Sequence, residues 1–246
     1  MENSITLRAV KAAIAILSVT TCFGAAARAA GAFDATGDFS IASNPNGVWS
    51  YLESTTLFSL SKTEAGGGIQ FWNSGLPEPN YISIYKNITS APIAISTIVA
   101  QPGTLVMDPE SQTVTVAFTA PTTGKYDVSG TFTGADTNEN SHAVSIVSAG
   151  AAIWQNTIQT YQQSDPFNLT LSLTKGTTVD FTVGTGHSGA AECPYCDLST
   201  GFEAVISGTS VAKAPELSPE STFTGITFLL GTLVLVQSRR TQRETL

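Results

Sequence analysis

The sequence predicts an all-β domain, an antiparallel β-sandwich of jelly-roll type, and three observations carry that prediction. Apolar and polar residues alternate in short runs from Phe39 to Ser207, turn residues interrupt those runs at strand-like spacing, and no stretch of the region keeps a helical period. Only 12% of the 246 residues are charged, and small residues dominate, a mixture that suits strands and turns. A parallel sheet buried on both faces would read instead as unbroken apolar runs.

The predicted strands follow in order. Val114, Val116 and Phe118 make one period-two face, and Tyr126, Val128, Gly130 and Phe132 make the next. Val144 and Ile146 repeat the pattern, as do Leu169, Leu171 and Leu173, then Val179, Phe181 and Val183, and finally Phe202, Ala204 and Ile206. Pro121 and Gly124 mark a reversal ahead of Tyr126, and the stretch Thr174 to Gly176 marks another ahead of Val179. Strands joined by such tight reversals are antiparallel neighbours.

The two ends differ from the domain. In residues 1–29, Arg8 and Lys11 precede an apolar run from Ala12 to Phe23, and small residues follow, the order of a secretory signal peptide. Ala27 and Ala29 frame an Ala-X-Ala cleavage site. The apolar run is about a dozen residues, short of the ~20 that a spanning helix needs. Residues 30–207 then form the β domain. Residues 208–221 are a linker rich in Pro, Glu and Ser, and residues 222–246 hold a single short apolar helix followed by Arg239, Arg240 and Arg243. The positive-inside rule puts those arginines in the cytoplasm and the domain across the membrane, in agreement with the signal peptide.

The order of Pro215-Glu216 or Pro219-Glu220, a short apolar helix and Arg239-Arg240 resembles the PEP-CTERM sorting signal of bacterial surface proteins. Leu217 or Ser221 stands where that motif has its second proline, according to the register. The resemblance implies recognition by an exosortase-type membrane protease, transient inner-membrane anchoring, and release to the cell surface or extracellular matrix. Within the domain, FSIASNPNGVWSY (from Phe39), VAFTAPTTGKYDVSGTFTG (from Val116), LTKGTTVDFTVGTG (from Leu173) and STGFEAVIS (from Ser199) resemble a recurrent domain of PEP-CTERM proteins. That domain is similar in layout to jelly-roll carbohydrate-binding modules. The expectation is a non-catalytic structural or adhesive surface protein that contacts a surface glycan or matrix polysaccharide.

Charge narrows the partners. Between Ala30 and Ala212 the only basic residues are Lys62, Lys86, Lys125 and Lys175, set against fifteen carboxylates. Displacing counterions from a phosphate backbone takes a stripe of Lys and Arg, so nucleic acid is not an expected partner.

Few residues carry chemistry. His142 and His187 sit in no metal-binding spacing, and neither a nucleophile elbow nor a phosphate-cradling loop is present. The alternative to a binding protein is a secreted polysaccharide hydrolase, which needs two acids at a set separation. Asp127, Asp136, Glu139, Asp165 and Asp180 supply acids, but sequence spacing does not give their distances.

Cys193-Pro194-Tyr195-Cys196 matches the CPYC of glutaredoxin-type sites but lies late in a β domain. With Cys22 lost in the signal, these two cysteines are expected to pair as a local disulfide in an oxidising compartment. Trp72 and Trp154 are the candidate sugar-stacking rings, whereas Trp49 reads as core. No cofactor is expected beyond a structural calcium, for which Asp34, Asp38, Asp136, Glu139 and Asp197 in Gly/Asn-rich loops are the candidate ligands.

Overall fold

Each alternating segment forms a strand whose apolar side meets an opposing sheet. The computed structural model describes residues 32–76, 81–110, 112–184 and 197–210. In chain order the strands are β1 (Ala32–Asp34), β2 (Trp49–Glu53), β3 (Thr56–Leu57), β4 (Leu60–Glu64), β5 (Ile69–Asn73), β6 (Ser83–Asn87), β7 (Ile93–Ile95) and β8 (Ile98–Ala100). They continue as β9 (Leu105–Asp108), β10 (Val114–Thr119), β11 (Gly124–Gly134), β12 (His142–Ser148), β13 (Ala151–Ile158), β14 (Ser164–Leu173), β15 (Thr178–Val183) and β16 (Thr200–Ser210).

One sheet runs β14-β11-β16-β9-β6-β5-β4, with β1 also pairing with β16, and the other runs β13-β12-β15-β10-β2-β3. Every pairing between named strands is antiparallel, so the described residues form an all-β sandwich. Strand β16 extends to Ser210, three residues past the expected end of the domain.

The core lies between the sheets, and the alternating faces read from the sequence supply much of it. Val116, Phe118, Phe181 and Val183 come from one side and Tyr126, Val128, Phe132 and Phe202 from the other, all fully buried. Phe181 and Phe202 meet across the sandwich with ring centroids 4.9 Å apart. Burying side chains of this size stabilises by roughly 1.5–3 kcal/mol each. Gly130 interrupts the inward face of β11 for a steric reason, since a Cβ there would lie 2.1 Å from the Glu203 carbonyl oxygen and 2.5 Å from the Phe167 ring. Phe167 fills the space that glycine leaves.

Neither reversal joins hydrogen-bonded neighbours, which corrects the meander expected from the sequence. Strand β10 pairs with β2 and β15 in one sheet, β11 pairs with β14 and β16 in the other, and both turns carry the chain across the sandwich, where they lock together. Ala120 donates its N–H to the Thr177 carbonyl at 2.9 Å, Gly176 donates to the Ala120 carbonyl at 2.8 Å, and Gly176 takes the left-handed φ of +87° that favours glycine. Tyr126 reaches back to donate its hydroxyl to the Thr122 carbonyl at 2.7 Å, closing the turn from the core side.

One part of the fold departs from simple alternation. Ile69, Phe71, Tyr85 and Val106 face away from the main core yet are buried, because the β7–β8 hairpin lies over them and adds Ile93, Ile95 and Ile98 as a cover. Strands β5, β6 and β9 are therefore buried on both faces and show no period-two signal.

Several expectations concern segments outside the described residues. These are the signal region with Ala27 and Ala29, the Cys193 and Cys196 pair, the motif residues Pro215, Glu216, Pro219 and Glu220, and the tail with Arg239 and Arg240. Among the described residues no helix is long and apolar enough to cross a membrane.

Candidate functional site

The β7–β8 hairpin is held down by backbone bonds to the segment after β11. Val99 donates its N–H to the Ala135 carbonyl and Thr137 donates to the Thr97 carbonyl, both at 2.9 Å. The hairpin covers only part of the outer face of the larger sheet, and a hollow lies on each side of it.

On one side is a groove of about 500 Å³ lined by Gln101, Pro102, Thr104, Thr131, Thr133, Tyr161, Gln162 and Glu203. Gly201 carries no side chain on the groove floor, where a Cβ would lie 3.4 Å from the Thr104 methyl. Gly134 lets a turn approach the sheet: a Cβ would lie 2.3 Å from the Thr160 carbonyl oxygen. That turn is bonded in both directions, Gln162 N–H to Gly134 O and Gly134 N–H to Gln163 O, each at 2.9 Å. The half-buried Tyr161 is thereby placed at the groove wall. Apart from Glu203, whose carboxylate accepts from Thr104 Oγ1 at 2.9 Å, the lining carries no charge.

On the other side is a chamber of about 560 Å³ with five carboxylates in its wall, Glu64, Asp108, Glu110, Asp136 and Asp197, and one basic side chain, Lys62. Asp136 is 1% exposed and is held by Thr97 Oγ1 at 2.9 Å on Oδ2 and by the Asn138 N–H at 2.8 Å on Oδ1. Asp108 accepts from Ser199 Oγ at 3.0 Å. Burial, then the charge of Asp136, raises the Asp197 carboxyl above its usual range, against a hydrogen bond from Thr97.

Behind the chamber wall, Glu139 is buried with its Oε1 3.4 Å from His142 Nδ1. Burial above all, with the charges of Asp136 and Asp197 adding to it, pushes the Glu139 carboxyl up to about 8 against the Asp136 N–H that bonds it. Burial lowers His142. Its Nδ1 lies 2.8 Å from the Asn140 carbonyl, which can only accept a hydrogen bond, so Nδ1 carries the proton and donates, and Nε2 accepts from Thr200 Oγ1 at 2.6 Å. At neutral pH the pair is an acid beside a neutral imidazole.

The structure separates the residues that sequence reasoning grouped. Trp72 is 5% exposed, belongs to the main core and donates its indole N–H to the Ser40 carbonyl at 2.9 Å, which corrects the expectation of an exposed stacking ring. Trp154 packs half-buried against the same core, stacked on Phe132 at 5.7 Å, so one of its faces is already covered. Trp49 is core, as expected, with its N–H on Asp38 Oδ2.

Of the five calcium candidates, Asp136, Glu139 and Asp197 come together, while Asp34 and Asp38 form a separate pair at β1. Asp34 Oδ1 takes three donors from Thr36 and Gly37, and Asp38 Oδ2 accepts the Asp34 N–H at 3.1 Å. Among the described residues no three His, Cys, Asp or Glu side chains converge as a metal shell. Calcium takes about six to eight oxygen ligands; Asp34, Asp38, Asp136 and Asp197 each already accept from an N–H or O–H donor, whereas Glu139 Oε1 accepts from none.

Of the acids considered for hydrolysis, Asp136 and Glu139 adjoin. Asp127 accepts from Thr170 on the larger sheet, Asp165 accepts from Gln163, and Asp180 lies in the smaller sheet. Tyr161 and the chamber were not singled out in the sequence. The available signal was the pair of glycines, Gly134 and Gly201, in strands otherwise rich in threonine.

No protein-family model and no curated protein matches the chain. Solved structures similar to it include the CBM36-1 domain of a multidomain xylanase from the hindgut metagenome of Trinervitermes trinervoides, at 13% identity and a TM-score of 0.27, covering 49% of this chain and 87% of that one. Another is the K1 cleaved adhesin domain of Lys-gingipain from Porphyromonas gingivalis W83, at 10% identity and a TM-score of 0.35, covering 74% and 99% respectively. A third is a carbohydrate-binding module CBM36 in complex with calcium and xylotriose, at 10% identity and a TM-score of 0.27, covering 49% and 90%. These values mark a loose likeness among β-sandwiches.

Proposed function

We propose that this chain is an exported, non-catalytic glycan-binding protein of the cell surface or extracellular matrix, and that the groove beside Tyr161 takes a segment of polysaccharide. The observation that carries the proposal is the groove's chemistry. Tyr161 offers an aromatic body with a polar tip, and Gln101, Thr104, Thr131, Thr133 and Gln162 offer neutral donors and acceptors on the outer face of a rigid sheet. A neutral polyhydroxylated chain matches such a surface, in which a few polar groups orient a ligand over an apolar base.

Of the five acids that the sequence offered for hydrolysis, Asp136 alone lines a hollow, which supports binding by the groove. Glycoside hydrolysis needs two acids that both reach the scissile bond. Asp136 and Glu139 adjoin, but Glu139 is buried and lines neither hollow. Titration with a panel of soluble polysaccharides, followed by product analysis, separates the readings. Binding with intact polymer is expected, and shortened products abolished by Asp136→Asn would favour the hydrolase.

The ends of the sequence support export and sorting by an exosortase-type protease, with Cys193 and Cys196 paired in the exported form. Terminal-peptide mass spectrometry of the exported protein tests both processing steps. A mature chain still carrying residues through Leu246 would remove the sorting step.

A further inference from the structure

The acidic chamber on the far side of the β7–β8 hairpin has no part in the groove. We propose that it is a second ligand site, one that takes a primary ammonium group carried on a hydroxylated body, as in a glycan with free amino groups.

Three observations lead there. First, the wall holds five carboxylates and a single basic side chain, and that lysine is already turned to Glu64 at the rim. A bound ammonium would offset the negative charge gathered around Asp108, Asp136 and Asp197.

Second, the adjoining aromatic wall has the geometry that holds an ammonium. The Lys62 Nζ sits 4.3 Å from the centre of the Tyr81 ring and 5.3 Å from that of Phe71, within the range of cation–π attraction. The protein's own ammonium shows that a cation is accommodated where rings and carboxylates meet.

Third, the chamber contains a buried hydroxyl without a partner. Ser83 stands opposite Asp108 in the β6–β9 ladder, is 1% exposed and lines the chamber, yet its Oγ makes no hydrogen bond. A buried hydroxyl left unsatisfied costs free energy that a ligand donor or acceptor would recover. Three lining residues, Ser96, Glu110 and Asp197, also hold positive φ without being glycine, which agrees with a preformed site.

Calorimetric titration with a β-1,4-linked glucosamine tetramer, its fully N-acetylated counterpart and a neutral cello-tetraose tests the proposal, with the full domain in chelator-treated buffer. The amine-bearing tetramer should bind at least about tenfold tighter than either neutral one and weaken as salt rises. Asp108→Asn or Asp197→Asn should abolish that preference, and Tyr161→Ala should not. Unfolding midpoints of both Asp variants close to that of the parent would confirm that the loss is local.

Equal binding of the three tetramers overturns the ammonium site while leaving glycan binding intact. Binding lost on Tyr161→Ala but kept in both Asp variants overturns it too, because the groove alone then does the binding. Failure of the amine-bearing tetramer to bind also overturns it, and the polysaccharide panel then decides the groove separately.

Discussion

The Asp136 backbone N–H donates to Glu139 Oε2 across 3.0 Å, which fastens a buried carboxyl to the loop that carries the chamber's most enclosed acid. Glu139 keeps its proton up to about pH 8 in the folded chain, against the ordinary glutamate value of 4.5. The folded state thus holds a proton that the unfolded state releases above 4.5, so this contribution to stability is complete below pH 4.5 and declines as pH rises to about 8. His142 acts oppositely, since its lowered value makes the folded state resist charging below about 6.5. Urea midpoints should therefore fall most cleanly between about pH 6.5 and 8, and Glu139→Gln should flatten that fall. A wild-type midpoint that is level or rising over this interval would contradict the assignment.

Tyr126→Phe should destabilise the domain by about 1–3 kcal/mol, because the Thr122 carbonyl loses the hydroxyl that closes its turn while the ring keeps its place against Phe118. Thermal unfolding of the two proteins measures it, and an unchanged midpoint would show that water replaces the hydroxyl without cost.

Gly130→Ala should be among the most damaging single changes in the larger sheet. The new methyl meets backbone at 2.1 Å, so β11 and β16 must part or Phe167 must leave the core, at a cost of about 3 kcal/mol or more. Gly184→Ala is the matched control, because its nearest neighbour would be the Ala143 carbonyl oxygen at an ordinary 3.5 Å. The prediction fails if the two variants unfold at the same denaturant concentration.

What the sequence made legible follows from where apolar residues had one choice of side. Strands β11, β12, β15 and β16 bury chiefly one face, and β10, though buried on both, keeps its large apolar residues on one, so Val116, Tyr126, Ile146, Phe181 and Phe202 could be placed inward by period alone. The positions of the reversals at Pro121 and Gly176 were readable because Pro and Gly have local conformational reasons to be there, but not that each turn crosses between sheets, which long-range pairing decides.

Strands β5, β6 and β9 were not readable, since a hairpin far along the chain buries their second face and erases the alternation. Trp72 was misplaced for a different reason: its flanking Pro and Asn residues suggest a loop, but its ring packs in the main core and its N–H finds the Ser40 carbonyl. Tyr161 and Ser83 acquire meaning only from long-range neighbours, Gly134 for one and Asp108 for the other. The sequence offered Asp34, Asp38, Asp136, Glu139 and Asp197 as one set, and only the fold separates the last three from the first two.

The central claim is that a neutral groove beside Tyr161 holds a glycan. Its most direct test is calorimetric titration of the wild-type domain and of Tyr161→Ala with whichever oligosaccharide the wild type binds from a neutral panel. The account predicts at least about tenfold weaker binding for the variant, as expected for loss of an aromatic anchor, with the unfolding midpoint unchanged. Equal affinity in the two proteins, or no binding of any neutral glycan by the wild type, would contradict it.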